Sequence, residues 1–392
     1  MLKARQENGK LIISLKGSID SANAASVERE LKALCAANPC QRVELDCDAL
    51  EYCTSAGLRV ILRLKQEVSD TALVNVHTEL YNIFNMTGFT EMMEIHKAYR
   101  VLSVDGCEVI GQGANGKVYR IDPDTIVKVY HNPDALPEIQ REREFARMAF
   151  VAGVPTAIPY DVVRIEGGGY GSVFELLNAT SFADLIISGE KTPEEVAQMS
   201  ISLLKLIHSK RVNAEILPDM KAIALDWAGF LKDYLPAALF DKLYALVSAV
   251  PEDPHLMHGD YHLKNVMLQN GESLIVDMDT LCHGHPIFEL ASMYNAYRGF
   301  GLTNPGATMA FLGIPRDTCA AFWRRSLELF LDTEDQERVN AVEARAKIVG
   351  LTRLMRREIR RDGFNREDGR KMIEACREAL AELLPQVDSL LF

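Results

Sequence analysis

The stretch "LMHGDYHLKNVMLQNGESLIVDMDT", residues 256–280, decides the fold. It contains the pattern H-x-D-x-x-x-x-N, formed by His258, Asp260 and Asn265, and its last apolar segment leads into Asp277. An Asn-Gly pair between two apolar segments predicts a tight turn that joins two strands. Two interpretations are open at this point. The stretch is either a strand–loop–strand corner with ordinary polar side chains, or a loop and hairpin that carry a base and two metal ligands.

A glycine pattern occurs earlier in the chain, in "VIGQGANGKVYRI" at residues 109–121. Gly111, Gly113, Gly116 and Val118 match G-x-G-x-x-G-x-V, in which glycines let the backbone fold closely over phosphate groups. Three such glycines also occur in dinucleotide-binding sites, where they lead into a helix. Here the sequence continues as β-structure, with a turn at "DPDT". The context therefore favours a loop that covers phosphates.

The next predicted strand contains a lysine that is flanked by two valines, Lys128 in "IVKVY". Alternation along a strand places its side chain on the face opposite to the valines, and exposure on an edge strand is the ordinary alternative. A predicted helix over residues 137–155 carries two candidate acidic partners, Glu142 and Glu144. These lie on different faces of a helix, so only one of them can face the lysine.

Taken in this order, the features resemble the aminoglycoside phosphotransferase family, within the protein-kinase-like fold. The resemblance covers about residues 104–392 and implies an α+β N-lobe, about 104–178, and a mainly helical C-lobe, about 179–392. "HGDYHLKN" has a glycine where protein kinases usually carry Arg, and "VDMDT" replaces their DFG motif. Glu289, in "HGHPIFELASMY", stands where the family commonly has Asp. These departures favour a small-molecule kinase over a protein kinase.

The resemblance also implies cofactors, ATP and Mg²⁺, and a role for each residue of the opening stretch. Asp260 would orient the attacking hydroxyl and accept its proton, and His258 would hold the loop by backbone hydrogen bonds. Asn265 and Asp277 would ligate magnesium. The family's spacing favours Glu142 over Glu144 as the partner of the lysine, and the backbone near Glu175 would meet adenine. The implied nucleotide-binding residues are Gly111, Gly113, Gly116, Val118, Lys128, Glu142 and Glu175.

Strands alternate with amphipathic helices in the first hundred residues, which predicts a small α/β domain. "GSIDSANA", "LDCDALEYCTSAGLRVIL" and "VNVHTELYNIFNMTGF" make residues 1–103 resemble a STAS domain, of the anti-sigma-factor-antagonist family. In that family a serine at the start of the helix after the second strand is phosphorylated as a partner switch. Ser55 occupies this place, preceded by Thr54 where Asp is frequent. The alternative is that Ser55 only caps its helix.

The net charge of −12 is unevenly distributed. Residues 1–103 hold 12 basic and 13 acidic side chains, so nearly all of the excess lies in the remainder. Such a field disfavours nucleic acid and favours a cationic small molecule, with simple solubility as the other explanation. An arginine-rich stretch, "LTRLMRREIRRDGFNREDGRKM" at 351–372, is predicted to be a solvated or interlobe helix face. Its alternative is a site for an anionic partner or for the STAS-like domain.

The N-terminus lacks the apolar segment of a signal peptide, and no apolar run is long enough for a membrane span. A cytoplasmic location is therefore expected, and the eight scattered cysteines are predicted to be reduced thiols.

The sequence thus predicts an ATP- and Mg²⁺-dependent phosphotransferase that acts on a hydroxyl of a small molecule, with a STAS-like regulatory domain that can bind a protein partner. Two alternatives remain. One is a protein serine kinase, which could act on the attached STAS-like domain. The other is a non-catalytic, nucleotide-sensing regulatory protein.

Overall fold

The computed structural model describes residues 2–7, 9–113 and 115–392. The chain divides into two compact units. The first holds the chain up to Asp105 together with Val162–Gly168, and the second holds Gly106–Asp161 and Gly169–Phe392. Each unit has its own cluster of buried apolar side chains.

The first unit is built on one sheet. Its strands are β1 (Lys3–Glu7), β2 (Lys10–Ile19), β3 (Arg42–Cys53), β4 (Asp70–Val76) and β5 (Glu94–Lys97). They lie side by side in this order, with β1 antiparallel to β2 and every later neighbour parallel. The helices are α1 (Ala24–Ala37), α2 (Ser55–Glu67), α3 (Thr78–Met86) and α4 (Phe89–Met92), and a short strand β6 (Arg100–Leu102) follows.

Residue patterns account for the core of this unit. Leu11, Ile13 and Leu15 alternate along β2 and are all fully buried, as expected where a strand covers a core on one face. On α2, the apolar positions form one buried stripe against the sheet. Gly57 permits this contact, because a Cβ atom there would lie 2.6 Å from the Cys53 Sγ atom and 2.8 Å from the Ile19 carbonyl oxygen.

The second unit begins with antiparallel strands. These are β7 (Glu108–Gln112), β8 (Gly116–Asp122) and β9 (Thr125–Tyr130), followed by helix α5 (Leu136–Val151) and β11 (Tyr170–Glu175). The chain between α5 and β11 contains β10 (Pro159–Ile165), most of which belongs to the first unit. β7 pairs with β8, β8 with β9, and β9 with β11, all antiparallel. β10 pairs in parallel with β6, and this pairing explains why Val162–Gly168 is grouped with the first unit.

The remainder of the second unit is mainly helical. Its helices are α6 (Phe182–Ile187), α7 (Pro193–His208), α8 (Met220–Phe230), α9 (Ala237–Ser248), α10 (Ile287–Tyr294), α11 (Ala307–Leu312), α12 (Arg316–Leu331), α13 (Gln336–Arg360) and α14 (Glu367–Leu383), with a π-helix at Asn295–Gly299. Helix α7 begins as its sequence predicts: the Thr192 side chain and Glu195 form a capping box, and Pro193 is in the first turn.

Five short strands lie among these helices and position the opening stretch. They are β12 (Thr180–Ser181), β13 (Leu256–Met257), β14 (Val266–Gln269), β15 (Glu272–Ile275) and β16 (Cys282–His283). β14 and β15 form the predicted hairpin, with positive φ at both Asn270 and Gly271. β13 pairs with β16, which brings the start and the end of the stretch together. Among the described residues, no helix is both long and apolar enough to cross a membrane.

Candidate active site

The loop between β13 and β14 carries His258, Asp260 and Asn265. Its sharp turn depends on Gly259, which has φ of 82°. A Cβ atom at this position would lie only 2.4 Å from the Thr280 carbonyl oxygen, so a side chain does not fit. The glycine between the histidine and the aspartate is therefore a requirement of this backbone.

A buried carboxylate binds the backbone of this loop. Glu289, on α10, is fully buried and accepts hydrogen bonds from the backbone N–H of His258 at 2.7 Å and of Gly259 at 3.0 Å. The N–H of Tyr261 lies at 3.4 Å from the same carboxylate. Burial opposes ionisation, but the neighbouring His208, His258 and the Gly259 amide hold the pKa of Glu289 below its usual value. Glu289 is thus a charged anchor for the turn before the aspartate.

His258 connects the loop to the hairpin. Its ring Nε2 lies 3.1 Å from the Val276 carbonyl oxygen, and its ring Nδ1 accepts a hydrogen bond from the Asp260 N–H at 3.3 Å. The Thr280 hydroxyl donates to the His258 carbonyl at 2.8 Å. The side chain is fully buried, so its contacts position other residues and do not reach a ligand.

Asp260 has three cationic or polar neighbours. The His262 Nε2 atom is 3.5 Å from its carboxylate, the Ser292 hydroxyl also 3.5 Å, and the Arg353 Nη2 atom 3.9 Å. Burial opposes ionisation of Asp260, yet His262 and then Arg353 hold its pKa below the usual value. The side chain remains 43% exposed, so an ionised carboxylate is accessible to a ligand.

The predicted metal ligands are Asn265, at the end of this loop, and Asp277, just after β15. Asn265 donates through its amide nitrogen to the Asp260 carbonyl at 3.0 Å, and this leaves its amide oxygen as the atom that can bind a cation. The Asn265 carbonyl accepts from the Val276 N–H at 2.9 Å, next to Asp277, which has φ of 65°. Amide and carboxylate oxygens suit Mg²⁺, which commonly takes its other ligands from phosphate and water. Within the described part of the chain, no group of three or more His, Cys, Asp or Glu residues forms a metal site on its own.

Asp279 adds a second carboxylate beside Asp277. Burial and then the charge of Asp277 raise its pKa. Two neighbouring carboxylates repel each other when both are ionised, and a bound cation would reduce this repulsion. Asn115, in the glycine loop, donates to the Asp279 carboxylate at 2.9 Å. The two residues are 164 positions apart, and the sequence patterns predict neither as a site residue.

Lys128 lies between two acidic groups. Its Nζ atom is 3.0 Å from Glu142 Oε1 and 2.8 Å from Asp277 Oδ1. Burial alone would lower the pKa of this ammonium group, but the charges of Glu142 and Asp277 raise it above the usual value. Glu144 is exposed on another face of α5. Tyr130, which no sequence pattern predicts as a site residue, donates its hydroxyl hydrogen to Glu142.

The glycines of the loop differ in their surroundings. A Cβ atom on Gly116 would lie 2.2 Å from the Val129 carbonyl oxygen, so this glycine is required by the packing of β8 on β9. Nothing lies within 4 Å of a Cβ built on Gly113, and one on Gly111 would make ordinary contact with Val118 at 3.6 Å. The space around these two positions is available to a ligand.

Glu175 ends β11, where its carboxylate accepts a hydrogen bond from the Tyr160 hydroxyl at 3.3 Å. The next N–H, of Leu176, donates to the Asp124 carbonyl at 2.8 Å, so this amide already has a backbone acceptor. The structure therefore places Glu175 at the end of the strand that was expected to lead into the adenine-binding segment.

Ser55, in the first unit, is the first residue of α2 and is exposed. It does not cap its helix, so the simpler interpretation of this serine is wrong. The N-cap is Thr54, whose hydroxyl accepts a hydrogen bond from the Ala56 N–H at 3.3 Å. The hydroxyl of Thr54 also lies 3.3 Å from the Ile19 carbonyl, which fixes the start of the helix to the sheet.

The chain belongs to the phosphotransferase enzyme family, whose model matches residues 106–320. The model of the STAS domain matches residues 1–101. A protein of Bordetella bronchiseptica, named "Putative anti-sigma factor antagonist BtrV", is 35% identical over 92 residues, which make up 22% of this chain and 78% of the relative. These matches confirm both predicted domains: an α/β STAS domain and an α+β, bilobal kinase-like domain.

Solved structures of aminoglycoside phosphotransferases are similar to the chain. The ADP-bound form of APH(2'')-Ib is 15% identical, with a TM-score of 0.47, and the match covers 80% of this chain and 99% of that one. A ternary complex of a thermostable APH(4)-Ia mutant with AMP-PNP and hygromycin B is also 15% identical, with a TM-score of 0.49 and coverage of 71% and 94%.

Proposed function

We propose that the second unit transfers the γ-phosphate of ATP to a hydroxyl group of a small molecule, with Mg²⁺ as cofactor. The observation that carries this proposal is the position of Lys128 between Glu142 and Asp277. This one side chain connects the glycine-rich sheet, the α5 helix and the hairpin that follows the catalytic loop. Membership of the phosphotransferase family supports the same reaction class.

Nucleotide binding would use both the glycine loop and the Lys128 ammonium. Backbone N–H groups of the loop at Gly111 and Gly113 are suited to phosphate oxygens, because no side chain blocks their approach. The Lys128 ammonium, held by Glu142, would bind the α- and β-phosphates. Asn265 and Asp277 would hold the cation. When bound, Mg²⁺ would offset the negative charge that develops on the phosphate oxygens.

Phosphoryl transfer would take place at Asp260. The acceptor hydroxyl donates a hydrogen bond to this carboxylate, and its oxygen forms a bond to the γ-phosphorus while the bond to the bridging oxygen of ADP breaks. The proton passes to Asp260 and then to solvent. Because the pKa of Asp260 is lowered, the carboxylate is a weak base, and its main contribution is to orient the hydroxyl.

The test is ADP formation from Mg·ATP in the presence of pooled hydroxyl compounds. Asp260→Asn should reduce turnover by roughly two to four orders of magnitude while nucleotide binding persists. Asp241→Asn is the matched control, since Asp241 is an exposed aspartate on α9. Undiminished turnover by the Asp260 variant would contradict the proposed reaction.

We further propose that the first unit binds a protein partner and that Ser55 is its phosphorylation site. An exposed serine in the first turn of a helix is favourable for a phosphate group, because free N–H groups and the helix dipole stabilise negative charge there. Added charge at this position would change the surface that a partner contacts. The sequence relative of this unit, named as an anti-sigma factor antagonist, supports a partner-binding role.

Two measurements test the regulatory proposal. Incubation of the full chain with labelled ATP, followed by mapping of the label, shows whether the attached unit modifies Ser55; absence of label there excludes modification in cis. Separately, Ser55→Glu is expected to alter partner binding, whereas Ser26→Glu, at an exposed position on α1, is the control. Equal partner binding by the two glutamate variants would show that Ser55 does not regulate this binding.

A further inference from the structure

Three arginines follow one another along α13 and its C-terminal cap at intervals of four: Arg353, Arg357 and Arg361. This spacing places them on one helix face. The face is directed at the catalytic loop, because the Arg353 Nη1 atom donates to the Gly259 carbonyl at 3.3 Å and to the Ser292 hydroxyl at 2.9 Å. The positive charge therefore lies beside Asp260.

Hydrogen bonds hold the Arg353 side chain, but at Arg357 one buried N–H lacks such a bond in the part of the chain that the structure describes. The Nε atom of Arg357 is buried without a hydrogen-bond partner among the described residues. Burial and then the charges of Arg361 and Arg353 hold its pKa below the usual value, and the opposing charges of Glu358 and Asp260 do not offset them. A guanidinium that is partly buried near two like charges is electrostatically unfavourable until an anion joins it.

The acidic side chains beside this part of α13 already have partners. Asp226, on α8, binds Arg356 at 2.6 Å, Glu358 binds Arg366 at 2.8 Å, and Asp362 accepts a hydrogen bond from Asn365 at 2.6 Å. Asp260 must remain available to the acceptor hydroxyl. The face formed by Arg353, Arg357 and Arg361 thus carries more positive charge than its acidic neighbours balance.

Aromatic rings support this face. The guanidinium of Arg353 lies over the Trp227 ring at 5.3 Å, and that of Arg357 lies over the Phe300 ring at 5.0 Å. Contacts of this kind hold a guanidinium in place and leave its N–H edge for an anion such as a carboxylate or a phosphate. Phe300 follows directly after the π-helix Asn295–Gly299, whose Asn295 donates to the Gly350 carbonyl of α13 at 2.9 Å. Such π-helical turns are frequent at functional sites.

We propose that the phosphate acceptor is an anionic hydroxyl compound, with a carboxylate or phosphate group that binds Arg357 while its hydroxyl faces Asp260. This inference rests on the proposed phosphotransferase reaction and names the substrate class of the same site. It reverses, at this site, the expectation from the net charge of −12, which favours a cationic acceptor. Arg357 is one helical turn, about 6 Å, beyond Arg353, so a short acceptor can span both groups.

The experiment measures binding by calorimetry to the full chain, with Mg·AMP-PNP present so that the nucleotide site is filled. The probes share a three-carbon skeleton: glycerate and glycerol phosphate are anionic, glycerol is neutral and serinol is cationic. The two anions are expected to bind more tightly than glycerol and serinol. Arg357→Gln should weaken anion binding by on the order of tenfold to a hundredfold, and Arg357→Lys should recover part of it.

Arg338→Gln is the matched control, because Arg338 is an exposed arginine on the same helix, about 28 Å from Arg357 along its axis. It should bind the anions as the native chain does. Affinity for AMP-PNP shows whether each variant is folded, and Arg361→Gln replaces Arg357→Gln if the latter loses nucleotide binding. Three results would overturn the inference. The neutral or cationic probes bind as tightly as the anions, the Arg357→Gln and Arg338→Gln variants have equal affinities for the anions, or neither anion binds.

The two proposals fail in different ways. Turnover of hydroxyl compounds without any preference for anions, and without dependence on Arg357, would overturn the anionic acceptor and leave the phosphotransferase intact. Anion binding at Arg357 in a chain whose ADP formation does not depend on Asp260 would overturn the proposed reaction and leave the binding site.

Discussion

At the scale of single residues, Glu289 shows how the second unit positions the loop that carries Asp260. Its fully buried carboxylate accepts from the N–H groups of His258 and Gly259. Hydrogen bonds to a charged group are each worth about 1.5–3 kcal/mol. Glu289→Gln places an NH₂ group against two donors, so we expect turnover to fall by tenfold or more, on the order of one such bond.

Thermal unfolding and nucleotide affinity, measured beside turnover, show how Glu289 acts. A positioning residue should lower turnover much more than nucleotide affinity. Glu289→Asp keeps the charge on a shorter side chain and should recover part of the turnover. Equal turnover of the native chain and the Gln variant would show that the loop keeps its shape without this carboxylate.

A second prediction at this scale compares two glycines with nearly equal backbone angles. Gly259 has φ of 82° and no room for a Cβ atom, whereas Gly271 has φ of 83° and nothing within 4 Å of that atom. Gly271→Ala should lower the free energy of unfolding by about 1–2 kcal/mol, which is the cost of a left-handed backbone for a residue with a Cβ atom. Gly259→Ala should lower the free energy of unfolding further and abolish turnover. Denaturant unfolding of the two variants measures the difference, and equal losses would contradict the steric argument.

At the scale of elements, helix α5 places one of two neighbouring glutamates against β9. Glu142 is buried and 3.0 Å from the Lys128 Nζ atom, and Glu144 is exposed. Without Glu142, the remaining acidic contact of Lys128 is Asp277, so the ammonium loses the partner that holds it in place for the phosphates. Glu142→Gln should therefore weaken nucleotide binding strongly, and Glu144→Gln should leave it unchanged. Nucleotide titration of both variants tests the prediction, and a reversed order would mean that α5 has another register when nucleotide is bound.

The elements differ in how far sequence predicts them. The β14–β15 hairpin follows from its Asn-Gly turn, and α7 from its capping box, because these signals are local. β1 has no such signal, since all five of its residues are exposed and it is defined only by pairing with β2. The candidate active site likewise combines residues with a local sequence signal and residues without one. His258, Asp260 and Asn265 share one loop with fixed spacing, whereas Glu289 and Arg353 reach that loop from helices 31 and 94 residues further along the chain.

At the scale of the whole molecule, each unit has its own apolar core. Phe84 is fully buried in the first and Phe182 in the second. Phe→Ala at such positions costs about 3–5 kcal/mol. Calorimetry of the full chain should show that Phe84→Ala lowers one transition and Phe182→Ala the other. Mg·ATP should raise only the transition that Phe182→Ala lowers, because a ligand stabilises the unit that binds it. A single transition that both variants shift equally would show that the units unfold together.

The contact between Lys128 and Asp277, at 2.8 Å, pairs two opposite charges within the site. A bound phosphate would attract the ammonium, and a bound cation would attract the carboxylate. Each ligand would therefore release the group that the other one needs. Such an exchange makes the two affinities cooperative, and thermodynamic reciprocity fixes the relation between them. If both ligands bind as proposed, the factor by which Mg²⁺ tightens nucleotide binding equals the factor by which nucleotide tightens Mg²⁺ binding.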